Sequence, residues 1–357
     1  MSGTSLDGID AALAEIDPSG QVHLTATHYQ PYPDSLRQDL LALHTPQPNE
    51  IHLAATAANT LARLYAEAVS ALLDTAQPSR PIKAIGCHGQ TLRHRPADGY
   101  TLQIGNAALL AELTRIAVVS DFRSRDIAAG GEGAPLVPAF HAQTLRHPHQ
   151  HRVIANIGGI ANLTDLPASG ALRGWDTGPG NMLMDGWVKR HCNTDFDAQG
   201  AWAASGTLQP DLFRALMQHP YLNPPPPKSA GREQFNLAWL DQILAFLPAI
   251  PPAAVQATLL EFTAASLGDA VKRECIGAQA LYVCGGGAHN LALLQRLADR
   301  LPGLHVETTH ALGIDPDWVE ALAFAWLARQ TLHHAPGNLP SVTGARGERV
   351  LGAVYPA

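Results

Sequence analysis

Charged residues of either sign are scarce in this sequence. Asp, Glu, Lys and Arg make up 15% of its 357 residues, and the formal net charge is −7. No basic stripe is present, which excludes a nucleic-acid backbone as the expected partner. No apolar run reaches the roughly 18 residues that would cross a bilayer, and no signal peptide is visible. We therefore expect a soluble cytoplasmic protein.

Cysteine is sparse as well, and the usual phosphate-loop pattern is missing. The four cysteines form no C-x-x-C pair and lie far apart, at Cys87, Cys192, Cys275 and Cys284. This spacing favours free thiols in a reducing compartment over a disulfide framework. The pattern G-x-x-x-x-G-K-[ST] does not occur, so a Walker-type nucleotide site is not supported.

Strand and helix signals alternate along the chain, which predicts an α/β fold. Adjacent strands are expected in "IDAALAEID" and "QVHLTATHY", and a long helix in "NEIHLAATAANTLARLYAEAVSALLDTA". Further strands are predicted in "IKAIGCH", "YTLQIG" and "AVVS". The last clear helix is "PDWVEALAFAWLARQTL", with Pro316 expected in its first turn.

The opening pattern of strand, glycine turn, strand and strand returns about 150 residues later. The second copy reads "RVIANIGGIANLTDL" followed by "LRGWD". Such a repeat predicts two related lobes. We place the first lobe at residues 1–127 plus 315–357, and the second at residues 128–314.

Four glycine-rich turns are candidates for holding an anion or a flat ligand: "SGTSLDG", "NIGGIANLT", "WDTGPGNMLMDGW" and "VCGGGAHN". Small residues let backbone N–H groups approach a phosphate closely. In the third turn, Asp176 ends a strand just before a helix begins, where a phosphate is also favoured. Ordinary tight turns are the alternative for the other three.

The order and spacing of these turns match the actin-like ATPase and sugar-kinase superfamily. Within it, nine segments in the same order resemble anhydro-N-acetylmuramic acid kinases: "MSGTSLDGID", "CHGQT", "IGN", "DFRSRD", "GGEGAPLVP", "NIGGIANLT", "DTGPGN", "PPPPKSAGREQFN" and "CGGGAHN". The resemblance implies two ribonuclease-H-like lobes around a central ATP and substrate cleft. It also implies a reaction in which 1,6-anhydro-N-acetylmuramic acid, ATP and water give N-acetylmuramic acid 6-phosphate and ADP, as part of peptidoglycan recycling.

The resemblance assigns the ATP and Mg²⁺ sites and the catalytic base. Asp176 is implied as the base that takes a proton from water, with a water-mediated magnesium ligand as the alternative role. The first turn is expected to wrap the ATP phosphates, with Asp7 facing hydrated Mg²⁺. The nucleotide-binding residues implied are Gly3, Thr4, Ser5, Leu6, Asp7, Gly8, Ile9, Asp10, Gly158, Gly159, Gly285, Gly286 and Gly287.

The sugar is expected to bind seven further residues: His88, Gln90, Thr91, Asn106, Arg123, Asp126 and Glu320. An arginine fork suits the lactyl carboxylate of the substrate. Both Arg123 and Arg125 are candidates for it, and either could instead form a structural ion pair with Asp121 or Asp126. A solvated helix face is the alternative for Glu320.

Two other functions share parts of this pattern. A different sugar kinase of the superfamily would keep the ATP turns, and an ATP-driven clamp would bind a protein partner without a sugar. A homodimer is a further possibility among such kinases. Relatives place a short strand before "MSGTS", so we expect a start several residues upstream and an extended chain more stable than this one.

Overall fold

The chain forms two compact units in a computed structural model that describes residues 1–3, 6–231 and 234–357. The first unit contains Met1–Thr144 and Trp318–Ala357, and the second contains Leu145–Asp317. Our boundary at residue 127 precedes this division by one helix. That helix belongs with the first unit because Phe140 lies 6.3 Å, centre to centre, from the ring of Trp326.

The first unit is a mixture of short sheets and helices. Its elements up to residue 144 are β1 (Gly8–Ile16), β2 (Val22–Pro31), α1 (Asp34–Ala42), α2 (Glu50–Ala76), β3 (Ile85–Gly86), β4 (Gln90–Arg95), β5 (Tyr100–Ile104), α3 (Ala107–Thr114), β6 (Val118–Ser120), α4 (Ser124–Ala128) and α5 (Val137–Thr144). Strands β1 and β2 form an antiparallel hairpin, and β4 pairs antiparallel with β5. Strand β3 runs parallel to β6.

The second unit is built on one continuous sheet. Its elements are β7 (Arg152–Ile157), β8 (Ile160–Leu166), β9 (Arg173–Pro179), α6 (Met182–Cys192), α7 (Ala201–Ser205), α8 (Pro210–Met217), α9 (Leu237–Leu244), α10 (Pro252–Glu274), β10 (Ala280–Cys284), α11 (Leu291–Arg300) and β11 (His305–Thr308). The strand order is β11-β10-β7-β8-β9. Strand β7 is parallel to β10 and antiparallel to β8, so it lies at the centre of the sheet.

The chain then returns to the first unit with three elements: α12 (Val319–Leu332), α13 (Pro340–Thr343) and β12 (Ala353–Tyr355). Strand β12 completes a small sheet by pairing antiparallel with β6.

Apolar periodicity explains the long helices. Helix α2 buries one stripe of residues against the hairpin, including Leu61, Tyr65 and Leu72, which is the spacing of one helix face. Helix α10 is apolar around most of its circumference and is correspondingly buried, with Phe262 fully enclosed. No helix in the described parts of the chain combines the length and the hydropathy needed to span a membrane.

The mixed α/β fold is confirmed, two local predictions need correction, and one strand was missed. The strand expected in "IKAIGCH" is reduced to Ile85–Gly86. Helix α12 begins at Val319 rather than at Pro316, because the backbone N–H of Asp317 donates to the carboxylate of Asp315 and closes a turn there. Strand β4 was not predicted, since "QTLRHR" lacks a clear apolar alternation.

Candidate functional site

The turn at the start of the chain is held by its neighbours in the first unit. Leu6 has a φ of 58°, a left-handed conformation that is uncommon outside glycine. A side chain at Gly8 would come within 2.5 Å of the carbonyl oxygen of Gln30. Gly3, Ile9 and Asp10 flank this turn. The predicted phosphate ligands Thr4 and Ser5 lie outside the described residues.

The side chain of Gln90 is hydrogen-bonded to the backbone of this turn. Its side chain is fully buried; its Nε2 donates to the carbonyl of Gly3 at 3.1 Å, and its Oε1 accepts from the Tyr32 hydroxyl at 3.4 Å. Ser2 adds a second support, since its hydroxyl donates to the carbonyl of Gly89. The predicted sugar ligand Gln90 is therefore engaged with the backbone of the first glycine turn.

His88 and Arg123 form a pair in which the proton positions are fixed. The Nδ1 of His88 lies 2.7 Å from the carbonyl oxygen of Gly89, so this nitrogen must carry the proton. The Nε of Arg123 donates to the other ring nitrogen, Nε2, at 3.0 Å. Burial, reinforced by the Arg123 charge, holds the pKa of His88 well below its usual value. The imidazole is thus neutral and orients the guanidinium.

Glu320 joins this cluster from the first turn of α12. Burial lowers the pKa of Arg123 to about 10, and the charges of Glu320 and Asp126 oppose that shift. A second nitrogen of Arg123 donates to the carbonyl of Gly133 at 2.8 Å. Arg123 is consequently fixed in two directions, whereas Arg125 is exposed.

Three other predicted sugar ligands are engaged with the fold. The Thr91 hydroxyl accepts from the side chain of Gln103 at 3.1 Å. Asn106 caps α3 by accepting from the N–H of Leu109 and also donates to Asn59. The fully buried carboxylate of Asp126 accepts three hydrogen bonds. Their donors are the backbone N–H of Gly133 and the side chains of Asn338 and Thr343.

Asp176 in the second unit lies on β9, opposite Asn162. Its Oδ2 accepts from the backbone N–H of Ala230 at 2.9 Å and from the Ser229 hydroxyl at 3.1 Å. Both bonds from described residues fall on this one oxygen, so Oδ1 is the atom available to a water. Burial raises the pKa of Asp176, and the two hydrogen bonds oppose that increase.

The loop that carries Ser229 is fastened to the same strand. The N–H of Asp176 donates to the carbonyl of Lys228 at 3.2 Å, and the Tyr221 hydroxyl donates to the carbonyl of Asp176 at 2.8 Å. The ammonium of Lys228 donates to the carbonyl of Tyr221 at 2.9 Å. These bonds place the proline-rich segment beside the carboxylate. The sequence signal for this arrangement was the motif "PPPPKSAGREQFN", to which we had given no chemical role.

The second glycine turn connects β7 to β8 at Gly158 and Gly159. The carbonyl of Gly159 accepts from the N–H of Gly180 at 2.9 Å, and that of Gly158 accepts from the N–H of Asn181 at 2.8 Å. A side chain at Gly180 would collide with the carbonyl of Gly158. The turn therefore lies directly against the start of α6, where a helix N-terminus favours negative charge.

The fourth turn follows β10. Gly285 has a φ of 75°, and a side chain there would collide with the amide oxygen of Asn156. A side chain at Gly287 would reach within 2.5 Å of the Ile157 side chain. Gly286, between them, is exposed. Two of the three glycines are required by packing, and the middle one has an exposed backbone.

The first turn offers the carboxylate of Asp7 as a ligand for a magnesium ion. Asp7 is exposed, and its Oδ1 accepts from the N–H of Gly8 at 3.0 Å. Among the described residues, no group of three or more His, Cys, Asp and Glu side chains could hold a metal. Proteins usually bind Mg²⁺ through one or two carboxylates, and water and phosphate oxygens complete the coordination of the ion. Asp7 fits that arrangement.

Comparison with known proteins identifies relatives along the whole chain. The family model described as anhydro-N-acetylmuramic acid kinase matches residues 1–357. A protein of that name from Thiobacillus denitrificans is 70% identical, with 100% of this chain and 96% of that protein aligned. Proteins of the same name from Nitrosospira multiformis and Pseudomonas putida are 54% and 55% identical, each aligned over 100% of this chain and 98% of their own length.

Proposed function

The chain belongs to the anhydro-N-acetylmuramic acid kinase family, and from this membership we propose the reaction that it catalyses. Water adds to the anomeric carbon of 1,6-anhydro-N-acetylmuramic acid, and the bond from that carbon to O6 breaks. The released O6 takes the γ-phosphoryl group of ATP, which gives N-acetylmuramic acid 6-phosphate and ADP. The product would enter peptidoglycan recycling and amino sugar catabolism in the cytoplasm.

Asp176 is the proposed general base, and the placement of its hydrogen bonds is the observation that carries this proposal. Ser229 and Ala230 hold Oδ2, which directs Oδ1 toward the attacking water. Burial raises the basicity of the carboxylate above that of an ordinary aspartate. The phosphoryl group takes the place of the proton that an inverting glycosidase would deliver to its leaving oxygen.

The glycine turns are proposed to bind ATP. The backbone of the first turn would cradle the phosphates, and Asp7 would hold hydrated Mg²⁺, which neutralises charge on the transferred phosphoryl group. Gly158 and Gly159 would form the second phosphate contact, beside the start of α6. The exposed backbone at Gly286 would lie against the adenosine.

Arg123 is the proposed ligand of the lactyl carboxylate, in preference to Arg125. It is fixed in orientation by His88 and Gly133, so little rotamer entropy is lost when it pairs with an anion. Glu320 would accept a hydrogen bond from a sugar hydroxyl. Gln90, Thr91, Asn106 and Asp126 would shape the sugar site through the backbone and side chains that they hold.

A coupled assay of ADP release tests the proposed reaction. With the anhydro sugar as substrate, we expect ADP and sugar 6-phosphate in equal amounts. With N-acetylmuramic acid, which has no bridge, we expect a much lower kcat/KM. Equal rates on both sugars would support a different sugar kinase of the same superfamily. Release of ADP that does not depend on either sugar would support an ATP-driven clamp.

A homodimer stays a prediction for this chain. Light scattering on the purified protein, with and without ATP and sugar, would measure its mass directly.

A further inference from the structure

Asp176 lies on an edge strand, and its outward backbone groups bond to a loop instead of to another strand. Strand β9 is the last strand in the order β11-β10-β7-β8-β9. The N–H of Asp176 donates to the carbonyl of Lys228, and the carbonyl of Asp176 accepts from the Tyr221 hydroxyl. An edge strand presents N–H and C=O groups that need such partners. The position of this residue therefore depends on Tyr221 and Lys228, two residues to which the proposed reaction gives no role.

The ammonium of Lys228 joins these two residues. Its Nζ donates to the carbonyl of Tyr221 at 2.9 Å and to that of Leu222 at 3.3 Å. It also lies 4.7 Å from the centre of the Tyr221 ring, a distance at which a cation is attracted to an aromatic face. Residues 224–227, which separate the two ends, are four consecutive prolines. The ammonium therefore closes a loop across the four prolines.

The two residues that follow Lys228 supply the hydrogen bonds to the carboxylate. The Ser229 hydroxyl and the Ala230 N–H reach Oδ2 of Asp176 at 3.1 and 2.9 Å. Burial raises the pKa of Asp176, and both of these bonds oppose that increase. The ammonium of Lys228 is directed at carbonyl oxygens, so its influence on the carboxylate passes through the loop that carries Ser229 and Ala230.

The groups around the ammonium keep a constant charge at acid pH. Burial lowers the pKa of Lys228; Arg273 reinforces this shift and Glu274 opposes it. Arg273 is itself paired with Glu274, and lysine and arginine stay protonated throughout the acid range. Burial, together with the charge of Asp176, raises the pKa of Tyr221 above its ordinary value of 10.0. The Tyr221 hydroxyl therefore keeps its proton and remains a donor to Asp176.

We propose that Lys228 is a positioning residue for the general base. By closing the loop across residues 224–227, it places the donors of Ser229 and Ala230 on Oδ2 of Asp176 and leaves Oδ1 to the attacking water. This inference rests on the proposed role of Asp176. Without the ammonium, the end of the loop is released, and the carboxylate loses the bonds that favour its ionised form.

Lys228→Met tests the proposal through the pH profile, because methionine has a similar length but no N–H donors. We expect the acid limb of kcat/KM to move to higher pH by about one unit, which is a tenfold change in proton affinity. The KM for ATP should stay unchanged. Lys272→Met, at an exposed lysine of α10, is the matched control and should leave the profile as it is.

An acid limb that did not move in Lys228→Met would overturn the proposal, and so would a higher KM for the sugar with an unmoved limb, which would indicate direct contact with substrate. If the methionine variant is too unstable to assay, Lys228→Gln carries the same test. Its amide keeps an N–H donor without the charge, so we expect a smaller shift in the same direction.

A double-mutant cycle tests whether Lys228 acts through the loop. Ser229→Ala removes one donor directly and should move the acid limb in the same direction as Lys228→Met. If Lys228 works by placing Ser229, the shift in the double variant is smaller than the sum of the two single shifts. Additive shifts would mean that the two residues act independently, and would contradict the proposal.

A titration of the Asp176 carboxyl by ¹³C NMR separates this inference from the proposed function. The signal is assigned by its loss in Asp176→Asn, and its pKa should rise in Lys228→Met whether or not Asp176 is the base. Full turnover in Asp176→Asn would refute the base assignment. If Asp176→Asn were inactive and Lys228→Met left both the titration and the acid limb unmoved, the role of Lys228 alone would be refuted.

Discussion

The sheet of the second unit is continuous across five strands, whereas the described strands of the first unit fall into three separate groups. Both units begin with the same pattern of glycine turn and antiparallel strands. In the second unit β7 pairs with both β8 and β10, whereas in the first unit the pairs β1–β2 and β4–β5 stay separate from the sheet of β3, β6 and β12. A strand that pairs on both of its edges is thus what joins separate strand pairs into a single sheet.

The two units also differ in how they hold their polar groups. The second unit presents one carboxylate, Asp176, whose hydrogen bonds from described residues fall on a single oxygen. The first unit presents a cluster in which a neutral His88 holds a cationic Arg123 near the carboxylate of Glu320. The former suits proton transfer, and the latter suits recognition of an anion. Two substitutions test this division of labour, and two more compare the stability of the units, from the largest expected effect to the smallest.

Asp176→Asn tests proton transfer in the second unit. We expect kcat to fall about 10² to 10⁴-fold, while ATP still binds as measured by calorimetry. Because burial raises the pKa of Asp176, the wild-type kcat/KM should fall on the acid side at a pH above the ordinary value of 3.8, and this limb should vanish in the variant. The control is Asp211→Asn, an exposed carboxylate paired with Arg214. Near-normal turnover of Asp176→Asn would refute the base assignment.

Arg123→Lys tests anion recognition in the first unit. A lysine cannot reproduce the guanidinium bonds to His88 and Gly133, and a charge-assisted bond contributes about 1.5–3 kcal/mol. We therefore expect KM for the anhydro sugar to rise roughly 10- to 100-fold, with a smaller change in kcat. Arg125→Lys is the matched control and should leave both constants unchanged. If Arg125→Lys raised KM and Arg123→Lys did not, the assignment would pass to Arg125.

Two carboxylates contrast the stability of the units: Asp185 is half-buried and Asp126 is fully buried. Burial, with smaller contributions from Asp197 and Asp195, raises the pKa of Asp185 in the second unit to about 7. The neutral form is favoured on folding, so the stability from this group is complete below pH 3.8 and is lost as the pH rises through about 7. Asp126 in the first unit instead accepts three hydrogen bonds.

We expect Asp185→Asn to raise Tm by a few degrees, at roughly 2–4 °C per kcal/mol, and by more at pH 8 than at pH 5. Asp126→Asn should lower Tm at both values, because an amide nitrogen cannot accept the bonds of a carboxylate oxygen. Thermal melts at the two pH values measure both effects. A gain from Asp185→Asn that was larger at pH 5 would contradict the direction of its pKa shift.

Elements with strong periodicity could be predicted from the sequence. The hairpin β1–β2 and helix α2 follow their expected segments, because one face of each is apolar at the period of its backbone. Strand β4 could not be found this way, since its pairing with β5 comes from tertiary context rather than from alternation. Strand β3 is likewise shorter than its apolar segment predicts, because only Ile85 and Gly86 pair with β6.

The candidate site shows a similar limit. Residue type identified Asp176 and Arg123 as chemically able to take part in the reaction. It could not show which atoms of these two side chains would be hydrogen-bonded by neighbouring residues. Asp126 and Gln90 have the polarity of sugar ligands, yet both are fully buried and bonded to the protein itself. Ser229 was visible within a motif, and only the folded loop reveals that it reaches Asp176.

The fixed proton on His88 has a consequence for the way in which pH affects the binding of an acidic sugar. The imidazole stays uncharged because its pKa lies well below the usual range, and Arg123 keeps its charge up to about pH 10. The pair therefore presents a constant single positive charge throughout the physiological range. Recognition of an acidic sugar by this pair would be insensitive to pH over that range, so an acid limb in turnover would report on Asp176 rather than on sugar binding.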